Sequence, residues 1–400
     1  MKLVRCKSKH GRALLLRKKS YARELMSTSW LEAAREALGT FRGPTTMLSP
    51  CCGLETALMA WQVLRPDACP KTWSWEVDTD LQGHIRHVHA AAGGHGVAYI
   101  GKQGDFEAVD LTKLNSAQFL CAGPPCPPFS RSGQGCGWHD PRAKVFMKVL
   151  LAIKELALRP DCIFEAFCIE NVSGMDDKKA DCENTAVEDV MLWLSSALQA
   201  AETEWHVWSW KVNTSKCGLP QNRDRNFMCG RKASEFTHAI PRTSPSSAKI
   251  HQVNLKQILD ADLPSEVASL KPVQKANLDS YIAQIEKVRT RHRMADVNQI
   301  AIFDLGRAEG KKRPMNWRAD GKTMCLTCRN CYLWAQGYGP DMPKYGRYIT
   351  AAERAQVQGF PAETSRRLKQ SRAAQVRAIG NAMALPVIGL AMACIFSDHR

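Results

Sequence analysis

The sequence is short of acidic residues and of long apolar runs. Its 400 residues carry 39 Asp and Glu against 55 Lys and Arg, a formal net charge of +16. Residues 1–23 hold nine basic side chains, from Lys2 to Arg23, and no acid. The longest apolar run, Ala382–Phe396, falls short of the ~20 residues a spanning helix needs and is interrupted by Pro386. That argues against an integral membrane protein. No secretory leader reads at the start. The sixteen cysteines, spread over 400 residues, therefore suit free thiols in a reducing compartment better than a disulfide framework. An apolar fraction of 44% excludes a chain disordered throughout. The length allows about two or three domains. The basic excess points to a polyanion, nucleic acid before an anionic membrane surface, with a solvated basic face as the bland alternative.

Four stretches follow from the patterning. Residues 1–40 read as a basic N-terminal tail: a nucleic-acid-binding arm, a nuclear signal, an organellar transit peptide around Ala13–Leu16, or a disordered segment. On these readings the protein is nuclear, if its source is eukaryotic, or organellar. Residues 41–230 alternate short apolar runs with helix-length segments. Strands are expected at Thr45–Leu48, Thr72–Val77, Val97–Ile100, Gln118–Cys121, Cys162–Ile169, His206–Val212 and Asn226–Cys229, and helices at Ala143–Leu158 and Thr185–Ala201. Such alternation predicts an α/β fold with a doubly wound, mostly parallel sheet, which binds ligands beyond the carboxyl ends of its strands. Residues 231–346 break the pattern and read as a smaller, irregular domain with one helix near Ser265–Arg289 and few strand signals. It carries Lys287, Arg289, Arg291, Arg293, Lys311, Lys312, Arg313 and Arg318, with Trp317, Tyr332, Trp334 and Tyr338 among them. Basic groups interleaved with aromatics suit a nucleic-acid surface; ordinary core aromatics under a solvated face fit equally well. Residues 347–400 return to helical spacing at Thr350–Val357 and Ser371–Phe396.

The segment that carries chemistry is Cys121-Ala-Gly-Pro-Pro-Cys126-Pro-Pro-Phe-Ser130. Prolines on both sides of Cys126 fix φ and remove backbone donors, so its thiol sits in a rigid loop after a strand. A lone cysteine is more often inert filler. Rigid placement favours a nucleophile, which must reach the thiolate to react. Downstream, Ser130, Gly133, Gly137, Asp140 and Arg142 form a loop with glycines that allow closure over a substrate. Glu170-Asn171-Val172 follows the strand Cys162–Ile169, where a carboxylate is placed either for a site or for solvent.

These residues resemble the C5-cytosine methyltransferase family. Gly123-Pro-Pro-Cys126-x-Pro-Phe-Ser130 is similar to its catalytic motif, and Glu170-Asn171-Val172 to its Glu-Asn-Val motif. Gly218-Leu-Pro-Gln221-Asn-Arg223-Asp-Arg225 is similar to its Gln-x-Arg-x-Arg motif. Arg347-x-x-Thr350-x-x-Glu353-x-x-x-x-Gln358-Gly359-Phe360-Pro361 resembles the motif after its target-recognition domain, and Gly380-Asn381-Ala382 with Pro386 its closing motif. The order is the family's, and the resemblance covers nearly all of the chain beyond the basic tail.

The resemblance implies a Rossmann-like fold that uses S-adenosylmethionine, with residues 231–346 as the target-recognition domain. It implies that Cys126 adds to C6 of a flipped-out cytosine in DNA, that Glu170 bonds the N3 edge and amine, and that Arg223 binds the base edge with Arg225 in support. Leu48, Gly53, Leu54, Glu76, Asp105, Phe106, Pro124 and Asn381 are the implied cofactor contacts; Glu76 takes the ribose and Asp105 the adenine amine. Ser130, Gly133, Arg142 and Gln221 are the implied substrate contacts. Departures are Pro50 and Cys52, where the family has glycines, and Pro127. Two rivals stand beside DNA methylation. One is tRNA methylation, against which Ser130 in place of the usual Thr weighs modestly. The other is a nucleic-acid-binding member with weakened catalysis. Cys325-x-x-Cys328-x-x-Cys331 resembles half a zinc site with no obvious fourth ligand, and no metal is assigned. Nothing in the sequence names a protein partner.

Overall fold

The computed structural model describes residues 29–131, 135–179, 182–238, 240–241, 250–260, 262–292, 300–306, 317–328, 332–336, 345–368 and 371–397. The basic arm before residue 29, Gly133, Arg293, Lys311, Lys312, Arg313, Cys331, Tyr338 and Lys369 lie outside the described residues, and the side chains of Arg289 and Arg291 are likewise not described.

The larger unit is built on strands β1 (Thr46–Pro50), β2 (Lys71–Glu76), β3 (Val97–Ile100), β4 (Phe119–Ala122), β5 (Ala166–Val172), β6 (Trp205–Asn213) and β7 (Asp224–Lys232). They form one sheet in the order β3-β2-β1-β4-β5-β7-β6. The first five are parallel to one another, and β7 runs antiparallel between β5 and β6. This is the expected doubly wound, mostly parallel architecture. Both faces are covered, so the central strands are apolar on both sides. Met47, Phe119, Cys121, Ala166 and Cys168 belong to one core. Their neighbours Leu48, Leu120, Ala122, Phe167 and Ile169 belong to the other. Helices α1 (Ser29–Leu38), α2 (Thr56–Leu64), α3 (Gln82–Ala91), α4 (Lys144–Leu158) and α5 (Ala186–Leu198) accompany the sheet. In α4 the apolar residues recur at helical spacing and bury Phe146, Val149, Leu150, Ile153 and Leu156. The start of α5 is closed by a capping box between Thr185 and Glu188.

The smaller unit is more regular than its sequence suggests. It holds α6 (Pro272–His292) and a four-stranded antiparallel sheet, order β11-β10-β8-β9, of β8 (Ala301–Asp304), β9 (Trp317–Arg318), β10 (Tyr332–Gln336) and β11 (Tyr345–Tyr348). Strands this short, separated by long polar stretches, leave too little alternation to read. The aromatics are core: Trp317, Tyr332 and Trp334 are 8%, 2% and 1% exposed. They therefore do not form the nucleic-acid surface that their interleaving with basic groups suggested.

The chain then re-enters the larger unit through α7 (Ala351–Val357), α8 (Glu363–Arg367), α9 (Arg372–Asn381) and α10 (Leu385–Ile395). The helix expected over Ser371–Phe396 is thus two, with Pro386 in the first turn of the second. The stretch Arg372–Ile395 is long and apolar enough to cross a membrane, but 89% of its apolar window is buried inside the protein. Every residue of α10 is buried. One partner is α1, whose Trp30 lies where a Cβ on Gly389 would come within 2.5 Å of its ring. The tail boundary drawn at residue 40 is therefore corrected: Ser29–Leu38 is a core helix, because Trp30, Leu31, Ala34 and Leu38 supply an apolar stripe.

One buried carboxylate joins the two units. Glu353 accepts Arg347 at 2.6 and 2.9 Å, the Thr350 N–H at 2.8 Å and the Asp260 N–H at 2.8 Å. Burial pushes its pKa up, but these donors, Arg347 foremost, hold it below the ordinary carboxylate range. Its stabilising contribution is therefore full above that range and is lost as pH falls through the depressed folded value. Glu353→Gln removes the carboxylate that meets the buried Arg347 guanidinium, leaving its charge on carbonyls, and is expected to lower the unfolding free energy by about 3 kcal/mol in urea titration at neutral pH. The difference from the native protein should shrink in acid.

Candidate active site

A cavity of about 540 Å³ opens beyond the carboxyl ends of β1, β2, β4 and β5. Its size suits one drug-sized ligand, and its wall falls into two halves.

The first half begins in the turn after β1. Pro50 stays in the strand, and the left-handed conformations fall on Cys51 (φ 54°), Gly53 (φ 53°) and Glu55 (φ 57°). The glycine-poor sequence is accommodated because Pro50 and Cys52 never need positive φ. Cys51 and Glu55 carry the strain instead. The Cys52 N–H bonds the Trp75 carbonyl at 3.1 Å. The Gly53 N–H donates to Glu76 Oε2 at 2.8 Å, and the Asp78 N–H to Glu76 Oε1 at 2.9 Å. Glu76 is thus fixed by two backbone donors, although burial leaves its pKa above the usual carboxylate value. Behind the turn, His89 Nε2 lies 3.5 Å from the fully buried Glu55 carboxylate and 2.9 Å from Ser74 Oγ. Asp105 follows Gly104, where a Cβ would stand 2.1 Å from the Glu76 carbonyl, so only glycine fits. Phe106 meets Trp75 edge to face at 5.2 Å. Gly53, Glu76, Asp105, Phe106, Pro124 and Asn381 all line the cavity. Leu48 and Leu54 do not: both are wholly buried in the core. Leu48 lies in an inner strand with both faces covered, and Cys51, Cys52 and Trp75 form the wall in their place.

The second half gathers Cys126, Glu170, Arg142, Arg223 and Arg225. The loop carrying Cys126 is tied to β5, because Asn171 Nδ2 donates to the Pro124 carbonyl at 3.1 Å. The turn closes with Phe129 N–H on the Cys126 carbonyl at 3.0 Å. Arg225 Nε stands 3.0 Å from Glu170 Oε1. Burial pushes the Cys126 thiol above its ordinary range; Arg225 and Arg223 pull it down, and Glu170 pushes it up. At rest it is a thiol.

The two arginines are placed differently from expectation. Arg223 spends its donors on carbonyls: Gly380 at 3.1 Å, Leu326 at 3.3 Å and Ala382 at 2.9 Å. It braces the loop around Asn381, and Arg225 is the arginine paired with Glu170. Arg142 lines the cavity but is forked onto Asp140 at 2.9 and 2.6 Å. Gln221 is wholly buried outside the wall, where its backbone bridges Thr323. Ser130 lies on the loop beyond the wall. Sequence reading missed the structural use of Asn171, although it sits in a motif already singled out. It also missed Met383, which packs 3.5 Å from where a Gly123 Cβ would be. Among the described residues no three potential metal ligands cluster. Cys328 is exposed, and Cys325 lies instead beside the arginines.

The family model for C-5 cytosine-specific DNA methylase matches residues 97–395. The chain belongs to that family. Among curated relatives, it is 26% identical over 264 residues to Type II methyltransferase M.PspPI of Psychrobacter sp. (strain TA137), covering 64% of this chain and 59% of that protein. It is 31% identical over 166 residues to M.NgoBV of Neisseria gonorrhoeae, covering 41% of this chain and 35% of the relative. The chain thus spans less than two thirds of both. Among solved structures, Entamoeba histolytica methyltransferase EhMeth superposes with a TM-score of 0.59 at 15% identity, over 89% of this chain and 99% of that one. A Spodoptera frugiperda DNMT2 mutant gives 0.57 at 14%, over 88% and 99%. At these identities the likeness establishes the fold.

Arg223→Ala removes three bonds to buried carbonyls and is expected to cost about 3 kcal/mol of stability. Urea unfolding checks it, and a variant as stable as the native protein would refute the bracing role.

Proposed function

We propose that this protein methylates C5 of cytosine in DNA, with Cys126 as the nucleophile and S-adenosylmethionine as the methyl donor. The observation that carries this reading is convergence. Cys126, Glu170 and Arg225 face one cavity whose other half has the parts a nucleoside needs: a backbone-fixed Glu76, Asp105, and an apolar wall of Trp75 and Phe106. Those parts fit S-adenosylmethionine, with Glu76 at the ribose hydroxyls and Asp105 at the adenine amine. When bound, the cofactor supplies an electrophilic methyl group.

The chain's own residues do the rest. A cytosine stacked in a duplex cannot present C6, so it is flipped into the cavity at an expense of a few kcal/mol, roughly, offset by backbone contacts to basic side chains. Cys126 loses its proton to solvent water and its sulfur bonds to C6. The displaced electron pair moves to N3, which takes up a proton through Glu170 as the adduct forms. Arg225, held by Glu170, bonds the base carbonyl. C5, now electron-rich, accepts the methyl group and then loses its proton. The electrons of that C–H bond re-form the ring double bond as the sulfur–C6 bond breaks, the thiolate returns, and the N3 proton passes back through Glu170. Because burial keeps Cys126 a thiol, turnover is expected to rise with pH toward and beyond the ordinary thiol range.

The decisive experiment is trapping on 5-fluorocytosine duplex DNA with S-adenosylmethionine. The fluorine cannot leave as a proton does, so the adduct persists. The native chain should give a covalent complex resolved by denaturing electrophoresis, and Cys126→Ala none. Adduct formation on tRNA alone would replace DNA with tRNA as substrate, and none on either would leave a binding protein. Affinity for duplex DNA should also fall steeply with salt, roughly in proportion to the number of phosphates neutralised.

A further inference from the structure

Two guanidinium groups and one carboxylate are enclosed at the base end of the cavity. Arg223 is 3% exposed, and the side chains of Arg225 and Glu170 are 12% and 11% exposed. Like charges at this depth repel unless anions meet them. Burial and the neighbouring Arg225 already lower the pKa of Arg223. Glu170 faces Arg225 at Nε, and the Arg223 donors go largely to neutral carbonyls. One further group touches both cations. Cys325 Sγ lies 3.9 Å from Arg223 Nη1 and 3.9 Å from Arg225 Nη2.

The sulfur is held there from the smaller unit. The Cys325 carbonyl accepts the Tyr332 hydroxyl at 3.1 Å, and Tyr332 is buried in β10 under Arg354, whose guanidinium stands 5.3 Å from its ring. On the other side, Thr323 N–H bonds the Pro220 carbonyl and Asn222 N–H bonds the Thr323 carbonyl, both at 2.8 Å. Cys325 is thus anchored from both units.

We infer that the Cys325 thiolate is the resting counter-ion of the Arg223–Arg225 pair, orienting Arg225 toward Glu170 and keeping Cys126 a thiol in the free protein. The inference rests on Cys126 being the nucleophile. The charge count is simple: two guanidinium cations are matched by Glu170 and Cys325, so a Cys126 thiolate would be a third anion without a cation. Cys126 is faced by Arg225, Glu170 and Arg223, and more distantly by Arg142, which is committed to Asp140. Among the described residues, the charged groups that act most on Cys325 are Arg225 and Arg223. The two thiols accordingly shift in opposite directions. Burial pushes both up, but the arginines bring Cys325 below the ordinary thiol range and leave Cys126 above it. Cys325 is a positioning residue: it acts on the chemistry through Arg225.

The test is alkylation of the full-length chain by iodoacetamide between about pH 6 and about pH 10, read peptide by peptide in a mass spectrometer. In the native protein Cys325 should become reactive at lower pH than Cys126, by about one pH unit or more. The reverse order would overturn the inference without any variant. In Cys325→Ser the matching anion is gone, so the Cys126 profile should move down by about half a unit or more, a rise of roughly threefold in its alkylation rate below the midpoint. Cys325→Asp keeps an anion and should restore the native Cys126 profile. An unchanged Cys126 profile in a Cys325→Ser chain that melts like the native protein would also overturn it. Alkylation needs no turnover. If the proposed methylation fails while the labelling order holds, only the functional reading falls.

Discussion

The ion pair between Arg225 and Glu170 sets the geometry of the site. It is a cross-strand contact fixed by register: β5 and β7 pair antiparallel with Val172 opposite Arg225 and Glu170 opposite Phe227. Arg225 and Glu170 are therefore diagonal neighbours on one face of the sheet. Removing both charges from water is expensive, and mutual attraction offsets this only when the geometry is held. The ladder holds it. The same strand also supplies Asn171, whose amide carries the loop of Cys126. Cys126, Glu170 and Arg225 are all referenced to β5, so their relative positions depend on one short, buried strand.

The cofactor half shows where sequence and structure part company. A glycine-rich turn is expected after β1 because backbone must approach a ligand closely there. Pro50 and Cys52 read as obstacles. The chain resolves this by placing its left-handed residues at alternate positions, 51, 53 and 55, of which only Gly53 is glycine. That assignment is invisible to motif matching, because φ is not encoded by residue type when strain is tolerated. The Glu55 carboxylate, buried 3.5 Å from His89 Nε2, helps show how it is tolerated: a side chain packed into the interior holds its own backbone in an otherwise unfavourable region.

Much of the rest was legible. The parallel strands announced themselves as apolar runs, because both faces are buried, and the residues at their carboxyl ends did form the cavity. Three things were not legible. The smaller sheet was hidden by strands too short for a period to show. The division of labour between Arg223 and Arg225 is a matter of which way each side chain leaves β7 and its preceding loop, which two charges one residue apart do not reveal. Leu48 and Leu54 were misplaced because a motif names a segment, while a cavity selects particular atoms of it.

The position of Cys325 changes what the smaller unit contributes. A domain that only gripped nucleic acid could be joined to the sheet by a flexible hinge. Here the segment Thr323–Leu326 is stitched to the turn before β7 by two backbone bonds, and Arg223 reaches its Leu326 carbonyl. The same guanidinium holds Gly380 and Ala382 on the cofactor side. A displacement of the smaller unit would therefore move Cys325 away from Arg225 and loosen the loop around Asn381 together. The Thr323–Leu326 segment, the cavity wall around Asn381 and the surroundings of Cys126 share one buried arginine, so they are coupled by contact and not merely by proximity.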